Sequence, residues 1–157
     1  MELFRITKAK YLENYSGRGK SFLEGARWNK AGQPVLYFAQ SPSVAQLEMS
    51  HYLPSPQLVP KSYRLGIYSI DGASVTVFDR SKLPQDWDDF PYPQSTQEIG
   101  GKWLESNSGS IFLVPSTAVT GGRENIAVVN PLHPEISKIR LIGTENKIYS
   151  DRTFIGI

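Results

Sequence analysis

The chain has no cysteine and only two histidines, His51 and His133, in 157 residues. The first absence excludes a disulfide framework, thiolate metal ligation and a cysteine nucleophile, and it fits a reducing compartment. The second leaves too few imidazoles for a histidine-based zinc site, so no metal is expected. Lysine and arginine number 17 against 15 aspartates and glutamates, for a formal charge of +2. These charges are spread along the chain, without the long basic run that marks nucleic-acid binding, and no direct nucleic-acid contact is expected. No apolar run approaches the roughly 20 residues that span a bilayer, and Met1-Glu2-Leu3-Phe4-Arg5 does not lead from a basic region into an apolar core. The expectation is a soluble, cytoplasmic protein with no membrane partner. Ser-His-Asp order, metal-ligand spacing and a dinucleotide Gly-x-Gly-x-x-Gly are also missing. Ser16-Gly17-Arg18-Gly19-Lys20 lacks the spacing of a Walker loop and reads as a mobile loop near the site.

The stretch from Gly25 to Tyr52, GARWNKAGQPVLYFAQSPSVAQLEMSHY, is where the chemistry concentrates. Ser41 can cap a helix whose first position suits Pro42, and the spacing predicts that helix over 42–53. At about 100° per residue, Val44, Ala45, Leu47, Met49, Tyr52 and Leu53 form an apolar arc, while Ser43, Gln46 and Ser50 gather opposite. Glu48 falls inside the apolar arc. A carboxylate taken from water there costs several kcal/mol unless a polar partner meets it. Two readings stand: an ion pair with an arginine of a neighbouring strand, or a carboxylate held for chemistry. Before the helix, Gly25-Ala26 places small residues ahead of Arg27, so that a ligand can approach the backbone. A guanidinium there can grip a phosphate or carboxylate through two parallel hydrogen bonds, although a plain surface arginine has the same sequence signature. The strand-like run Val35-Leu36-Tyr37-Phe38-Ala39 follows the turn-forming Ala31-Gly32-Gln33-Pro34, and alternation sets Tyr37 on the face opposite Leu36 and Phe38.

The remaining chain predicts strands over 3–7, 64–70, 74–78, 111–114, 125–130, 138–142 and 153–157, the second and third closing a hairpin around Asp71-Gly72. Residues 83–93, rich in proline, aspartate and aromatics, read as a packed irregular connection. A second helix starts at Ser95, where Ser95 and Glu98 have capping-box spacing. Gly100-Gly101 costs about 1 kcal/mol per glycine in its middle and implies close approach of another backbone or a bound group. Ser116 follows a strand end at Pro115, where a turn role and a cleft-facing role are both open. His133, between two prolines, reads as structural. The pattern is a mixed α+β domain with short strands and few helices, expected to form one compact unit over 1–157.

In order and spacing, G-A-R-W-N, L-Y-F-A, S-P-S-V-A-Q-L-E, I-G-G-K-W-L, V-P-S-T-A-V, N-P-L-H-P and the Asp151-Arg152 pair resemble the RES domain, the toxin of certain bacterial toxin–antitoxin pairs. The family's arginine, glutamate and serine map onto Arg27, Glu48 and Ser116. Many relatives carry a second glycine where this chain has Ala26. The resemblance implies an ADP-ribosyltransferase-like fold and an enzyme that degrades NAD, releasing nicotinamide, with phosphate as acceptor. No separate cofactor is expected, because NAD is the substrate and inorganic phosphate the co-substrate. Under that reading Arg27 holds the pyrophosphate and Tyr37 stacks on the nicotinamide or its ribose. Glu48 meets the ribose hydroxyls and the developing positive charge, and Ser116 holds substrate or orients Glu48. Arg18 and Lys20 are candidates to complete a phosphate pocket with Arg27. The resemblance also implies a cognate Xre-like helix-turn-helix antitoxin and a homodimer. ADP-ribosyl transfer to protein, NAD hydrolysis, an RNA-directed toxin and a non-catalytic binding module remain alternatives.

Overall fold

Short runs rich in β-branched and aromatic residues form the strands. The computed structural model describes residues 1–155. Its strands are β1 (Glu2–Lys8), β2 (Leu36–Ala39), β3 (Tyr63–Ser69), β4 (Val75–Val77), β5 (Ile111–Pro115), β6 (Asn125–Val129) and β7 (Arg140–Glu145). Its α-helices are α1 (Lys20–Glu24), α2 (Pro42–Ser50) and α3 (Gln94–Ser106). The architecture is therefore mixed α+β, as the sequence pattern implies.

The strands join in the order β4-β5-β6-β2-β1-β3-β7. Pairing is close along β1–β3, from Glu2↔Ser69 to Lys8↔Tyr63, and along β2–β6, from Leu36↔Val129 to Ala39↔Ile126. Between β1 and β2 the register holds at a single pair, Phe4↔Ala39. The sheet thus divides into two halves hinged there, and it cannot be flat. The link from Ser69 to Val75 reaches at most about 21 Å, whereas β3 and β4 stand five strand intervals apart, about 24 Å across a flat sheet. Leu3, Tyr68 and Ile70 of one half accordingly share a buried cluster with Leu36, Phe38, Ile111, Leu113, Ala127 and Val129 of the other.

The outer faces are covered separately. Trp28, Val35, Trp103 and Leu104 pack with Phe112, Val114 and Val128 on the face covered by α3. Val44 and Ala45 of α2 pack with Phe4, Ala39, Leu65, Ile148 and Tyr149 on the other side. The segment after β7 clamps α2, since Gln46 donates to the Ile148 carbonyl at 2.6 Å and the Tyr149 hydroxyl donates to the Gln46 carbonyl at 2.7 Å.

Several local expectations change, and the helix expected over 42–53 ends at Ser50. The hairpin at Asp71-Gly72 does not form, because β3 is flanked by β1 and β7 while β4 pairs in parallel with β5, from Val75↔Ile111 to Val77↔Leu113. Gly72 supplies a left-handed turn with φ 68°, but turn chemistry fixes a bend without choosing the next strand's partner. The Ser95–Glu98 capping box is absent: α3 starts at Gln94 after Pro93, Ser95 Oγ donates to Asp86 Oδ1 at 2.6 Å, and Glu98 accepts from Gln94. Thr153–Ile155 form a turn instead of a strand, and 156–157 lie outside the described residues. The 83–93 connection is irregular as expected but mostly exposed, with Phe90 79% accessible.

Candidate functional site

The hinge between the sheet halves opens into a cleft of about 1090 Å³. Arg27, Tyr37, Glu48, Tyr52, Asp88 and Tyr92 contribute to its lining. They come from five segments: the loop before β2, β2 itself, α2, the turn that follows α2, and the 83–93 connection.

Glu48 is placed by α2, which begins as its sequence dictates, with Ser41 Oγ accepting from the Val44 N–H at 3.1 Å. The polar partner required by its position is Ser116, whose hydroxyl donates to Glu48 Oε1 at 2.6 Å. Among the described residues no arginine or lysine lies within ion-pair distance of Glu48. The structural ion pair is therefore not formed. Ser116 is fully buried, receives the Ala118 N–H at 3.1 Å, and donates its own N–H to the Glu124 carbonyl. Of its two expected roles, this geometry matches orienting Glu48. The serine fixes one carboxylate oxygen, and Glu48 contributes to the cleft lining.

Arg27 sits on a loop shaped by Gly25, whose φ of 80° is in the left-handed region. Ala26 N–H donates to the Asn29 carbonyl at 3.1 Å, and Gln97 Nε2 donates to the Ala26 carbonyl at 3.1 Å. Arg27 Nη1 donates to the carbonyls of Trp87 and Asp89 at 2.7 and 2.8 Å, and its guanidinium lies 5.3 Å from the Tyr92 ring centroid. Among the described residues, no hydrogen bond occupies Nε or Nη2. That edge is the side-on fork suited to an anion. Burial lowers the arginine's pKa, opposed by Tyr92, Glu48, Asp88 and Tyr52, and a guanidinium keeps its proton in proteins.

Tyr37 faces away from Leu36 and Phe38, as alternation requires, and packs with the Trp28 cluster. Its hydroxyl donates to Asn29 Oδ1 at 2.7 Å and accepts from the Trp28 N–H at 3.2 Å. Burial pushes the phenol's pKa up, which keeps that donor protonated. Asn29, itself fully buried, passes the connection on to the Ser21 and Lys30 carbonyls at 2.9 and 3.0 Å. The Tyr37 hydroxyl therefore positions the arginine loop, leaving the ring for the cleft. Tyr37→Phe strands a buried acceptor and is expected to cost about 1–3 kcal/mol. Thermal unfolding checks this; a Phe variant that melts like the wild type would leave the ring as the only contributor.

The glycine pair in α3 has the use its cost implied. A Cβ at Gly100 would overlap the Trp28 carbonyl, and one at Gly101 would stand 3.0 Å from Gln33 Oε1. The helix thereby supports the loop next to Arg27. Gly→Ala inside a helix ordinarily stabilises by about 1 kcal/mol. Here Gly100→Ala is expected to destabilise by about 1–3 kcal/mol through overpacking and to shift the Trp28 loop. A rise in melting temperature would show that the loop is not seated against α3.

Tyr52, Asp88 and Tyr92 were not singled out from the sequence as site residues. Glu48 and Tyr52 are four apart, a spacing that puts both on one helical face; nothing in the order of residues 83–93 announces a wall of the cleft. Lys20 lines the cleft while Arg18 is exposed and lies over the Phe22 ring at 5.3 Å. Lys20 also approaches Glu24 at 4.0 Å. Among the described residues no group of three or more histidine, cysteine, aspartate or glutamate side chains could hold a metal, and no helix is long and apolar enough to cross a membrane.

The family model for the RES domain matches residues 2–151. A protein named Toxin Res from Photorhabdus laumondii is 35% identical over 140 residues, covering 88% of this chain and 86% of that protein. A Toxin Res from Yersinia enterocolitica is 36% identical over 135 residues, covering 85% and 86%. A Prs ADP-ribosylating toxin from a Sphingobium species is 31% identical over 142 residues, covering 89% and 86%. The crystal structure of the M. tuberculosis MbcT-MbcA toxin-antitoxin complex contains a chain that superposes with a TM-score of 0.70 at 19% identity, covering 92% of this chain and 82% of that one. At that identity the superposition speaks to the fold alone.

Proposed function

Since this chain belongs to the RES-domain family, we propose that it is the toxin of a toxin–antitoxin pair and that its cleft cleaves NAD by phosphorolysis, releasing nicotinamide. The observation that carries this reading is the carboxylate of Glu48, held at 2.6 Å by a buried serine and facing a cleft that also presents the open edge of Arg27. NAD has an anionic pyrophosphate and a ribose carbon bonded to a cationic pyridinium. Arg27 suits the first and Glu48 the second. Heterolysis of that bond gives an oxocarbenium-like transition state that a fixed carboxylate stabilises, and the leaving group departs neutral without needing a strong general acid. Ser116 acts through Glu48 as a positioning residue, and the Tyr37 ring supports the nicotinamide end. NAD is a substrate in this reading, with inorganic phosphate as co-substrate and no separate cofactor.

Transfer of ADP-ribose to a protein on the same site is the second reading, favoured by the relative named an ADP-ribosylating toxin. The partner proposed for the chain is an antitoxin of helix-turn-helix type, in line with the toxin names of its relatives and the complex in which the structural neighbour occurs; a homodimer and a cytoplasmic location belong to the same proposal. Incubation with NAD, with and without inorganic phosphate, separates the readings. Phosphate-dependent nicotinamide release with a phosphorylated ADP-ribose product supports phosphorolysis, and labelled protein supports transfer. Intact NAD after prolonged incubation would overturn both.

A further inference from the structure

Two tyrosines span the cleft mouth next to the proposed reacting groups. Tyr52 follows α2 one turn after Glu48, with its N–H bonded to the Met49 carbonyl, and is 65% exposed at the rim. Tyr92 sits at the end of the 83–93 connection, whose carbonyls at Trp87 and Asp89 are pinned by Arg27 Nη1. The two hydroxyls meet at 3.4 Å, while the Arg27 guanidinium lies over the Tyr92 ring at 5.3 Å. Tyr52, Tyr92 and Arg27 thus form a chain of neighbours from the end of α2 to the arginine loop, with Glu48 one helical turn before Tyr52. All four line the cleft.

We propose that Tyr52 and Tyr92 form a gate that determines which acceptor reaches the sugar carbon, admitting a bound small anion and holding back bulk water. The proposal rests on the NAD-cleaving reading above. In that reaction the C1''–N1 bond breaks and its electron pair stays on nitrogen, giving neutral nicotinamide. A new C1''–O bond then forms from an acceptor lone pair. A phosphate dianion attacks through an oxygen that already carries negative charge, whereas water must release a proton to solvent as it adds. Water at its bulk concentration competes for so reactive a carbon unless it is excluded, which is what a closed wall over the site does. The bridge is suited to opening and closing. At 3.4 Å its hydrogen bond lies beyond the ordinary O–H···O range, and a bond at the weak end of net strength shifts an open-to-closed ratio by about twofold.

The test measures how NAD divides between ADP-ribose and phosphorylated ADP-ribose at fixed phosphate, in the wild type, Tyr52→Ala, Tyr92→Ala and the double variant Tyr52→Phe with Tyr92→Phe. Nicotinamide release and circular dichroism are followed on the same preparations. The alanine variants are expected to raise the hydrolysed fraction by about tenfold, and the double phenylalanine variant, which keeps both rings and loses the hydroxyl contact, by about twofold. An unchanged division in folded variants that still release nicotinamide would overturn the gate while sparing NAD cleavage. Absence of nicotinamide from the wild type would overturn the parent reading and the gate together. Should one alanine variant fail to fold, the double phenylalanine variant decides, because it removes no ring.

Discussion

Glu48→Gln is expected to lower NAD turnover by about 10²- to 10³-fold, roughly 3–4 kcal/mol of transition-state stabilisation, by analogy with loss of one preorganised charge-stabilising contact. NAD affinity should change far less, since glutamine matches the size of the side chain and can still accept a hydrogen bond. The local structure favours a clean outcome. Ser116 Oγ donates to Glu48 Oε1, and a glutamine carbonyl oxygen can receive the same bond, so the buried serine is not stranded. No ion pair is broken, because Glu48 makes none among the described residues. A merely structural glutamate predicts the opposite division: a lowered melting temperature with near-normal turnover in the folded fraction. Measuring both on one preparation separates the two roles.

Arg27→Ala is expected to weaken NAD binding by about 10- to 100-fold, the size of one hydrogen bond to a charged group. The same change releases the carbonyls of Trp87 and Asp89, so it should also loosen the wall that carries Tyr92. That wall is largely exposed, and the melting temperature should fall only modestly. Arg27→Lys is expected to recover part of the binding, because it restores charge without the planar fork and cannot reproduce both carbonyl bonds and a two-point grip. Titration of NAD or ADP-ribose by calorimetry reads the effect directly. Global unfolding of Arg27→Ala would assign the arginine to a structural network instead.

The parts of the molecule that were legible in the sequence are those governed by local rules. Ser41-Pro42 sets the start of α2, period-two alternation sets the face of Tyr37, and the cost of two adjacent glycines in a helix points to the backbone contact found at Gly100. Glu48's position among apolar residues required a buried polar partner, and Ser116 provides it across 68 positions of chain. Global pairing was not legible. The hairpin expected at Asp71-Gly72 fails because a turn bends the chain without choosing between neighbours, and β4 pairs in parallel with β5 while β1 and β7 flank β3. Tyr52, four residues after Glu48, was within reach of a helical-face argument, but the contributions of Asp88 and Tyr92 were hidden. They depend on Arg27 drawing an irregular, proline-rich segment over the cleft through backbone carbonyls, which have no sequence signature.

The central claim is that Glu48 and Arg27 hold the two ends of one NAD molecule in this cleft. A crystal structure of the slowed Glu48→Gln variant with NAD bound tests it most directly. The account predicts the nicotinamide ribose beside residue 48, with its reacting carbon about 3–3.5 Å from the side chain, and the pyrophosphate on the Nε and Nη2 edge of Arg27. NAD bound away from this cleft, or lying in it with neither contact made, would contradict the account.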